Sequence, residues 1–337
     1  MDIHASEILV AGGGIGGLAA ALALSRQGAG VQLIEQAEAF SEVGAGIQIG
    51  PNVTRILRDW GLEAGLRRVA SFPHALLARD ARSGRELGSL PLGDRAERLY
   101  GAPYACIHRA DLHHLLLQAV QDRGVPMGLN QRLADVQPRA DGVTVRTEQG
   151  QVLAPALLVG ADGLWSRSRQ ALGLTDAPRF SGHLAYRGLV PLATPPAEPQ
   201  VTVWMGSRLH IVHYPVQAGR ALNVVAIVQG ELPSQAQDWD HAAHADALFQ
   251  ALRPGVLQQL LAPAAASQPQ VGLLLQQLLR MRPSSDSLDG PGLRQAMLAS
   301  GFLTEARLRQ PSAGPADLKS VLRQLIEQLQ PAHEEPA

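Results

Sequence analysis

The chain has 337 residues, enough at about 100–200 residues per domain for two domains, or one large domain with an insertion. Hydrophobic residues make up 46% and charged residues 18%, which excludes a disordered or fibrous chain. With 29 basic against 30 acidic side chains the net charge is -1, which argues against a nucleic-acid binder or a polybasic membrane-surface protein. The single cysteine, Cys106, excludes an intramolecular disulfide, and no Cys/His spacing fits a zinc site. Met1 to Glu7 lacks the basic start of a signal peptide, and no apolar run is long enough to span a bilayer. The expectation is a soluble, cytoplasmic protein with no metal, no nucleic acid and no membrane partner.

Ile8-Leu9-Val10-Ala11 is a short apolar run of the kind that forms a buried parallel strand. It leads into Gly12-Gly13-Gly14-Ile15-Gly16-Gly17 and then an Ala/Leu-rich helix to Gln27, punctuated by Gly28 to Gly30. Val31 to Glu35 reads as a second strand. The result is a βαβ unit with G-x-G-x-x-G at Gly12, Gly14 and Gly17, and an acid, Glu35, 18 residues after the last glycine. Gly12 suits the tight turn out of the strand, Gly14 the close approach of a pyrophosphate, and Gly17 close packing of helix on sheet. Ile15 opens the helix, whose N-terminal N–H groups and dipole favour phosphate. Glu35, with Gln36 beside it, can accept both ribose hydroxyls of an adenosine and would repel a 2′-phosphate. The spacing therefore predicts FAD or NAD rather than NADP.

The segments that follow favour FAD. Gly44, Gly46 and Gly50 flank Ile47, Gln48 and Ile49, a pattern suited to a backbone wall against a planar ring; a plain surface loop is the competing reading. A helix starts near Pro51. Ile107-His108-Arg109-Ala110-Asp111-Leu112 opens another helix, with Leu112, Leu115, Leu116 and Ala119 at helical spacing. Arg109 at its head could reach a pyrophosphate with its planar fork, or simply be solvated. Leu157 to Gly160 is an apolar strand ending in Asp162-Gly163, with Ser166 and Arg169 starting a short helix. Ala140-Asp141-Gly142 carries a similar dipeptide between alternating runs and predicts an ordinary hairpin turn.

Four strands are expected between residues 179 and 230: His183 to Val190, Val201 to Gly206, Leu209 to Val216 and Ala221 to Val228. They predict an antiparallel sheet flooring a substrate site. In the third, period two puts His210, Val212 and Tyr214 on one face and Ile211, His213 and Pro215 on the other. Only one histidine can therefore face a ligand on that sheet.

Gly12-x-Gly14-x-x-Gly17 with Glu35, Gly44-Ala45-Gly46-Ile47-Gln48-Ile49-Gly50-Pro51-Asn52, His108-Arg109-Ala110-Asp111-Leu112 and Gly160-Ala161-Asp162-Gly163-x-x-Ser166-x-x-Arg169 occur in that order. Together with Tyr186-Arg187-Gly188, Trp204-Met205-Gly206 and His210 to Pro215, they resemble the single-component FAD-dependent aromatic hydroxylases. The likeness is to the salicylate hydroxylase and 3-hydroxybenzoate 6-hydroxylase branch, over about residues 7 to 262. The resemblance implies an α/β fold with a Rossmann-type FAD-binding domain at 1–178, a substrate-domain β-sheet at 179–262 and a divergent helical tail at 263–337. It implies FAD as cofactor, NADH as transient co-substrate, O2, and a small aromatic substrate hydroxylated through a flavin C4a-hydroperoxide. It gives Asp162 and Arg169 a double duty toward FAD and the nicotinamide nucleotide. A phenol must lose its proton to become nucleophilic, and His213 is favoured as base, with His210 and Tyr214 as the other catalytic candidates. Tyr186 and Arg187 are the candidates for binding a substrate carboxylate or lining the pocket.

After Pro263 the resemblance stops. The family's Gly-Asp-Ala-Ala-His-Pro segment, which covers the ribityl side of the flavin, does not occur; the only Gly-Asp pair is Gly93-Asp94. Two helical stretches are expected instead, Leu293 to Leu308 and Ala316 to Gln330. The second carries an apolar stripe at Leu318, Val321, Leu322, Leu325, Ile326 and Leu329. The sole lysine, Lys319, lies within it. The expected consequence is weak FAD retention and uncoupled NADH oxidation. The competing reading is a non-catalytic flavoprotein remnant or chimera whose C-terminal helices bind a partner protein.

Overall fold

The computed structural model describes residues 7–40, 45–81, 83–174 and 179–230. The helices expected beyond residue 263, and the end of the expected substrate sheet, lie outside the described residues.

In chain order the elements are β1 (Glu7–Ala11), α1 (Ile15–Arg26), β2 (Gly30–Ile34), β3 (Gly46–Ile49), α2 (Pro51–Asp59) and α3 (Glu63–Val69). Then come β4 (Ala75–Asp80), β5 (Glu86–Pro91), α4 (Gly93–Tyr100), β6 (Ala105–His108), α5 (Arg109–Asp122) and β7 (Met127–Gly128). The remainder are β8 (Leu133–Arg139), β9 (Gly142–Thr147), β10 (Val152–Leu153), β11 (Leu157–Gly160), α6 (Arg167–Ala171), β12 (His183–Pro191), β13 (Gln200–Met205), β14 (Leu209–Val216) and β15 (Ala221–Gln229). No helix among the described residues is long and apolar enough to cross a membrane.

The chain divides into two compact units. The first takes its described residues from 7–40, 57–68, 108–174 and Arg179. Its parallel sheet has the order β11-β1-β2-β7, so the predicted βαβ unit is present, with β1 central and Ile8 to Ala11 nearly fully buried. Strands β8, β9 and β10 form a small antiparallel sheet; Arg139 pairs with Gly142, so Ala140-Asp141 is indeed a hairpin turn. Leu9, Ala11 and Ile34 of the parallel sheet share a core with Leu133 and Val145 of that hairpin.

The second unit takes its described residues from 45–56, 69–81, 83–107 and 180–230. Its six-stranded sheet has the order β12-β15-β14-β13-β4-β5, and β3 pairs with β6 in a separate two-stranded ribbon. The four expected strands all form, but the sheet is wider than expected. Strand β4 joins it in parallel register, Gln200 facing Ala75 and Met205 facing Asp80. Segments 45–56 and 69–107 group with the sheet because β4 and β5 complete it.

Candidate functional site

Each unit carries its own set of the predicted residues. In the first, the glycine-rich turn connects the buried end of β1 to α1. Gly12 has φ +113°, open to glycine alone in practice, and a side chain on it would collide with the Ala161 carbonyl. A side chain on Gly17 would strike the Gly12 carbonyl, so this glycine is what lets α1 close on the turn. Gly14 is the N-cap of α1, in extended conformation; no side chain caps the helix and no acid stands in its first turn. Ile15 follows as the first helical residue. An uncapped helix start leaves N–H groups and the positive dipole end for an anion.

Glu35 stands just past β2. One carboxylate oxygen accepts the Gly13 N–H, and the other accepts the Ala37 N–H at 2.8 Å. A carboxylate has about four lone-pair positions, so Glu35 clasps the turn and keeps acceptor capacity for ribose hydroxyls. Gln36 is exposed beside it. Arg109 is the first residue of α5 and half-buried. One helical turn on, buried His113 hydrogen-bonds the Gly13 carbonyl. The donor set of this turn fits the ADP half of FAD: glycine backbone at a bare helix start, an acid at the ribose position, and arginine at the head of a neighbouring helix.

The Asp162 carboxylate is bound within its own segment. Its Oδ1 accepts the hydroxyls of Ser166 and Ser168, and its Oδ2 accepts the N–H groups of Arg167 at 2.7 Å and Ser168 at 3.0 Å. Burial alone would raise its pKa, but the hydrogen bonds from Ser166 and Ser168 prevail and hold it below the ordinary carboxylate value. The carboxylate is thus committed to the start of α6, where Ser166 caps the Arg169 N–H at 2.9 Å. Arg169 donates from Nη2 to the Leu164 carbonyl at 2.8 Å, while its buried Nε has no acceptor among the described residues.

In the second unit the sheet has two unlike faces. Trp204, Leu209, Ile211, Ala226 and Val228 form one, with Tyr186 packed against them. His213 belongs to this face: its ring stacks near Trp204, centroids 6.4 Å apart, and both ring nitrogens are buried with no partner among the described residues. Burial, reinforced by Arg79, pushes its pKa down to about 4.

The other face carries Val201, Tyr214 and Val216, which share a core with Cys106 of β6, so the β3–β6 ribbon lies against it. Gly46 donates its N–H to Asn223 Oδ1 at 2.7 Å. The Gln48 side chain accepts the Tyr104 hydroxyl at 2.6 Å and is hydrogen-bonded to Tyr214, while Ile47 between them is half-buried. Burial, with Cys106 nearby, pushes Tyr104 up to about 12 and raises Tyr214 further; the Gln48 hydrogen bond and the Arg187 charge only partly oppose the Tyr214 shift. Both phenols are therefore neutral hydrogen-bonding groups near neutral pH. Alternation along β14 puts His210 on this face with Tyr214, and Arg187 of β12 stands close enough to act on the Tyr214 charge. The structure thus brings Gln48, Tyr214, His210 and Arg187 to one face and leaves His213 and Tyr186 on the other. Sequence reasoning missed Tyr104, Asn223 and His113. Asn223 had a signal, being a lone polar residue inside the apolar strand β15.

A Rossmann-type dinucleotide unit and a broad sheet unit define a flavin-binding fold of the monooxygenase kind. The chain belongs to the FAD-binding domain family, which it matches over residues 5–267. It is 40% identical over 224 residues to 3-hydroxybenzoate 6-hydroxylase 1 of Aquipseudomonas alcaligenes, covering 65% of this chain and 57% of that protein. To 3-hydroxybenzoate 6-hydroxylase of Polaromonas naphthalenivorans it is 38% identical over 232 residues, covering 68% and 58%. The chain therefore matches less than three fifths of the length of these curated relatives. In fold it is similar to Klebsiella pneumoniae HpxO complexed with FAD and uric acid, with a TM-score of 0.65 and 22% identity over 96% of this chain and 92% of that one.

Proposed function

We propose that this chain is an FAD-dependent hydroxylase of a phenolic acid, using NADH and O2. The observation that supports the reading is the shared sheet face: Arg187 and Gln48 act on Tyr214, and alternation along β14 puts His210 on the same face, on which the ribbon with its glycine pattern packs. Its relatives' names, both 3-hydroxybenzoate 6-hydroxylases, favour a hydroxybenzoate as substrate.

The glycine-rich turn, the start of α1, Glu35 and Arg109 hold the ADP half of FAD. When bound, FAD supplies the reductive activation of O2 and the transfer of one oxygen atom to the ring. The chain's residues do the rest. Arg187 pairs with the substrate carboxylate through its planar fork. Tyr104 and Tyr214, neutral and tied to Gln48, orient the aromatic ring and keep water from it. His210 takes the proton from the phenol oxygen onto a ring nitrogen, which raises electron density on the ring carbon that accepts oxygen. His213 is ill suited to that role, because burial lowers its affinity for a proton and it lies on the opposite face, against Trp204.

The test is direct. The purified chain should show a flavin spectrum or take up added FAD, and should consume NADH faster in the presence of 3-hydroxybenzoate or salicylate. Product should be measured against hydrogen peroxide, which separates coupled hydroxylation from peroxide release. A colourless protein that binds no added FAD would overturn the reading.

A further inference from the structure

Gly13 is the residue of the dinucleotide motif to which the sequence pattern gives no task, yet both of its backbone polar groups are held by side chains. Its N–H donates to Glu35 and its carbonyl lies 2.8 Å from Nε2 of His113. A side chain on it would meet Phe40 Cε1 at 2.5 Å and Glu35 Oε2 at 3.0 Å. Phe40 in turn lies against His113, ring centroids 6.2 Å apart and tilted by 44°. A carbonyl can only accept, so Nε2 of His113 carries the proton and donates.

We propose that His113 is a positioning residue for the FAD pyrophosphate, acting through the Gly13–Gly14 peptide. There are no cis peptide bonds among the described residues, and in a trans peptide the C=O and N–H point in opposite directions. Fixing the Gly13 carbonyl on His113 therefore turns the Gly14 N–H away from α5. Gly14 is the N-cap of α1, so this N–H joins those at the helix start in facing an anion. His113 is buried and lies four residues after Arg109, on the same side of α5. One helix face thus offers a charge for the phosphates at its head and a hydrogen bond that aims the backbone donor one turn later. Glu35 holds the other side of the same glycine, so the ribose and pyrophosphate contacts are set by one clasped residue.

The inference rests on the reading that the turn holds FAD, and the experiment separates the two. FAD and ADP are titrated against the full chain and against His113→Ala, His113→Gln and His113→Asn, with thermal unfolding of each apo-protein measured in parallel. Gln reaches about as far as Nε2 and restores a donor; Asn is too short. His113→Ala and His113→Asn should weaken both FAD and ADP about tenfold, the worth of one buried hydrogen bond. His113→Gln should come back to within about threefold. The 31P resonances of bound FAD should shift in the Ala and Asn variants and return in Gln. If His113→Ala does not fold, the Gln and Asn pair decides the matter. Equal FAD affinity and unchanged 31P shifts across the variants, with only the unfolding temperature lowered, would reduce His113 to a packing residue. A loss confined to FAD and absent for ADP would also overturn the proposal. A wild-type chain that binds neither nucleotide refutes the FAD reading itself, and the proposal with it.

Discussion

Asn223 and Gly46, 177 residues apart in the chain, are joined by a hydrogen bond of 2.7 Å from the Gly46 N–H to the Asn223 side-chain oxygen. The bond docks the ribbon strand β3 onto the sheet at the point where Tyr214 also makes contact. A Cβ at Gly46 would lie 2.7 Å from both Asn223 Cγ and Tyr214 Cε2, so no side chain fits there. Gly46→Ala should destabilise the chain by about 1–3 kcal/mol through overpacking. Asn223→Leu should cost a similar amount, about 1–3 kcal/mol, by leaving the Gly46 N–H buried and unsatisfied. Urea unfolding of both variants checks this; a wild-type midpoint for either would show that the ribbon is held by other contacts.

Glu35 links fold and cofactor in the same way. Its two oxygens accept the N–H groups of Gly13 and Ala37, and charge-assisted hydrogen bonds of this kind are worth about 1.5–3 kcal/mol each. Glu35→Ala should therefore weaken FAD at least tenfold and lower apo-protein stability, because the turn loses its clasp as well as the ribose its acceptor. Glu35→Gln keeps one acceptor oxygen and should fall between. Fluorescence titration with FAD reads the first effect and denaturant unfolding the second.

The pH dependence of stability follows from His213. Its folded pKa is pushed down to about 4 from an ordinary 6.5. As pH falls below 6.5 the unfolded chain binds the proton first, so stability is lost between about pH 6.5 and 4 and levels off below that. Between pH 7 and 5 this amounts to about 2 kcal/mol, before most carboxylates titrate. His213→Phe, which preserves a ring against Trp204, should remove most of that slope. Urea midpoints of the two proteins at pH 7 and pH 5 decide it, and parallel slopes would place the pH-sensitive group elsewhere.

Much of the first unit was legible because its rules are local. The run from Ile8 to Glu35 is contiguous, and the steric demands of Gly12 and Gly17 leave their mark on the sequence itself. The hairpin turn at Asp141-Gly142 was legible for the same reason. Asp162 was harder: the sequence shows an acid after a strand, but whether its carboxylate faces a ligand or caps α6 depends on where Ser166 and Ser168 fold back. The sheet was read too narrow because β4 lies more than a hundred residues before its partner β13, and no local pattern announces a parallel pairing at that distance. Period two stated correctly that His210 and His213 part company. It could not say which face the ribbon covers, because that is set by Gly46, Gln48 and Tyr104, contacts between distant segments.

The two histidines of β14 give the sharpest test of the proposed chemistry. Residues an even number of steps apart share a face, so His210 is on the face of Tyr214 while His213 lies with Trp204. A general base that removes a phenolic proton contributes about 10²–10⁴-fold to the rate. His210→Gln should lower kcat for hydroxylation by that order while leaving substrate affinity and FAD content near the wild type. The deficit should shrink as the pH approaches the phenol's own pKa, about 10 for an unperturbed phenol, because the base is then less needed. His213→Phe should keep hydroxylation within a few-fold at pH 7.5. Arg187→Met should act on the other axis, raising KM for a hydroxybenzoate and leaving a neutral phenol unaffected, since it removes a carboxylate partner and not a proton acceptor. Steady-state kinetics across pH with both substrate types separates these effects. Loss of turnover in His213→Phe with His210→Gln unimpaired would reverse the assignment of the two faces.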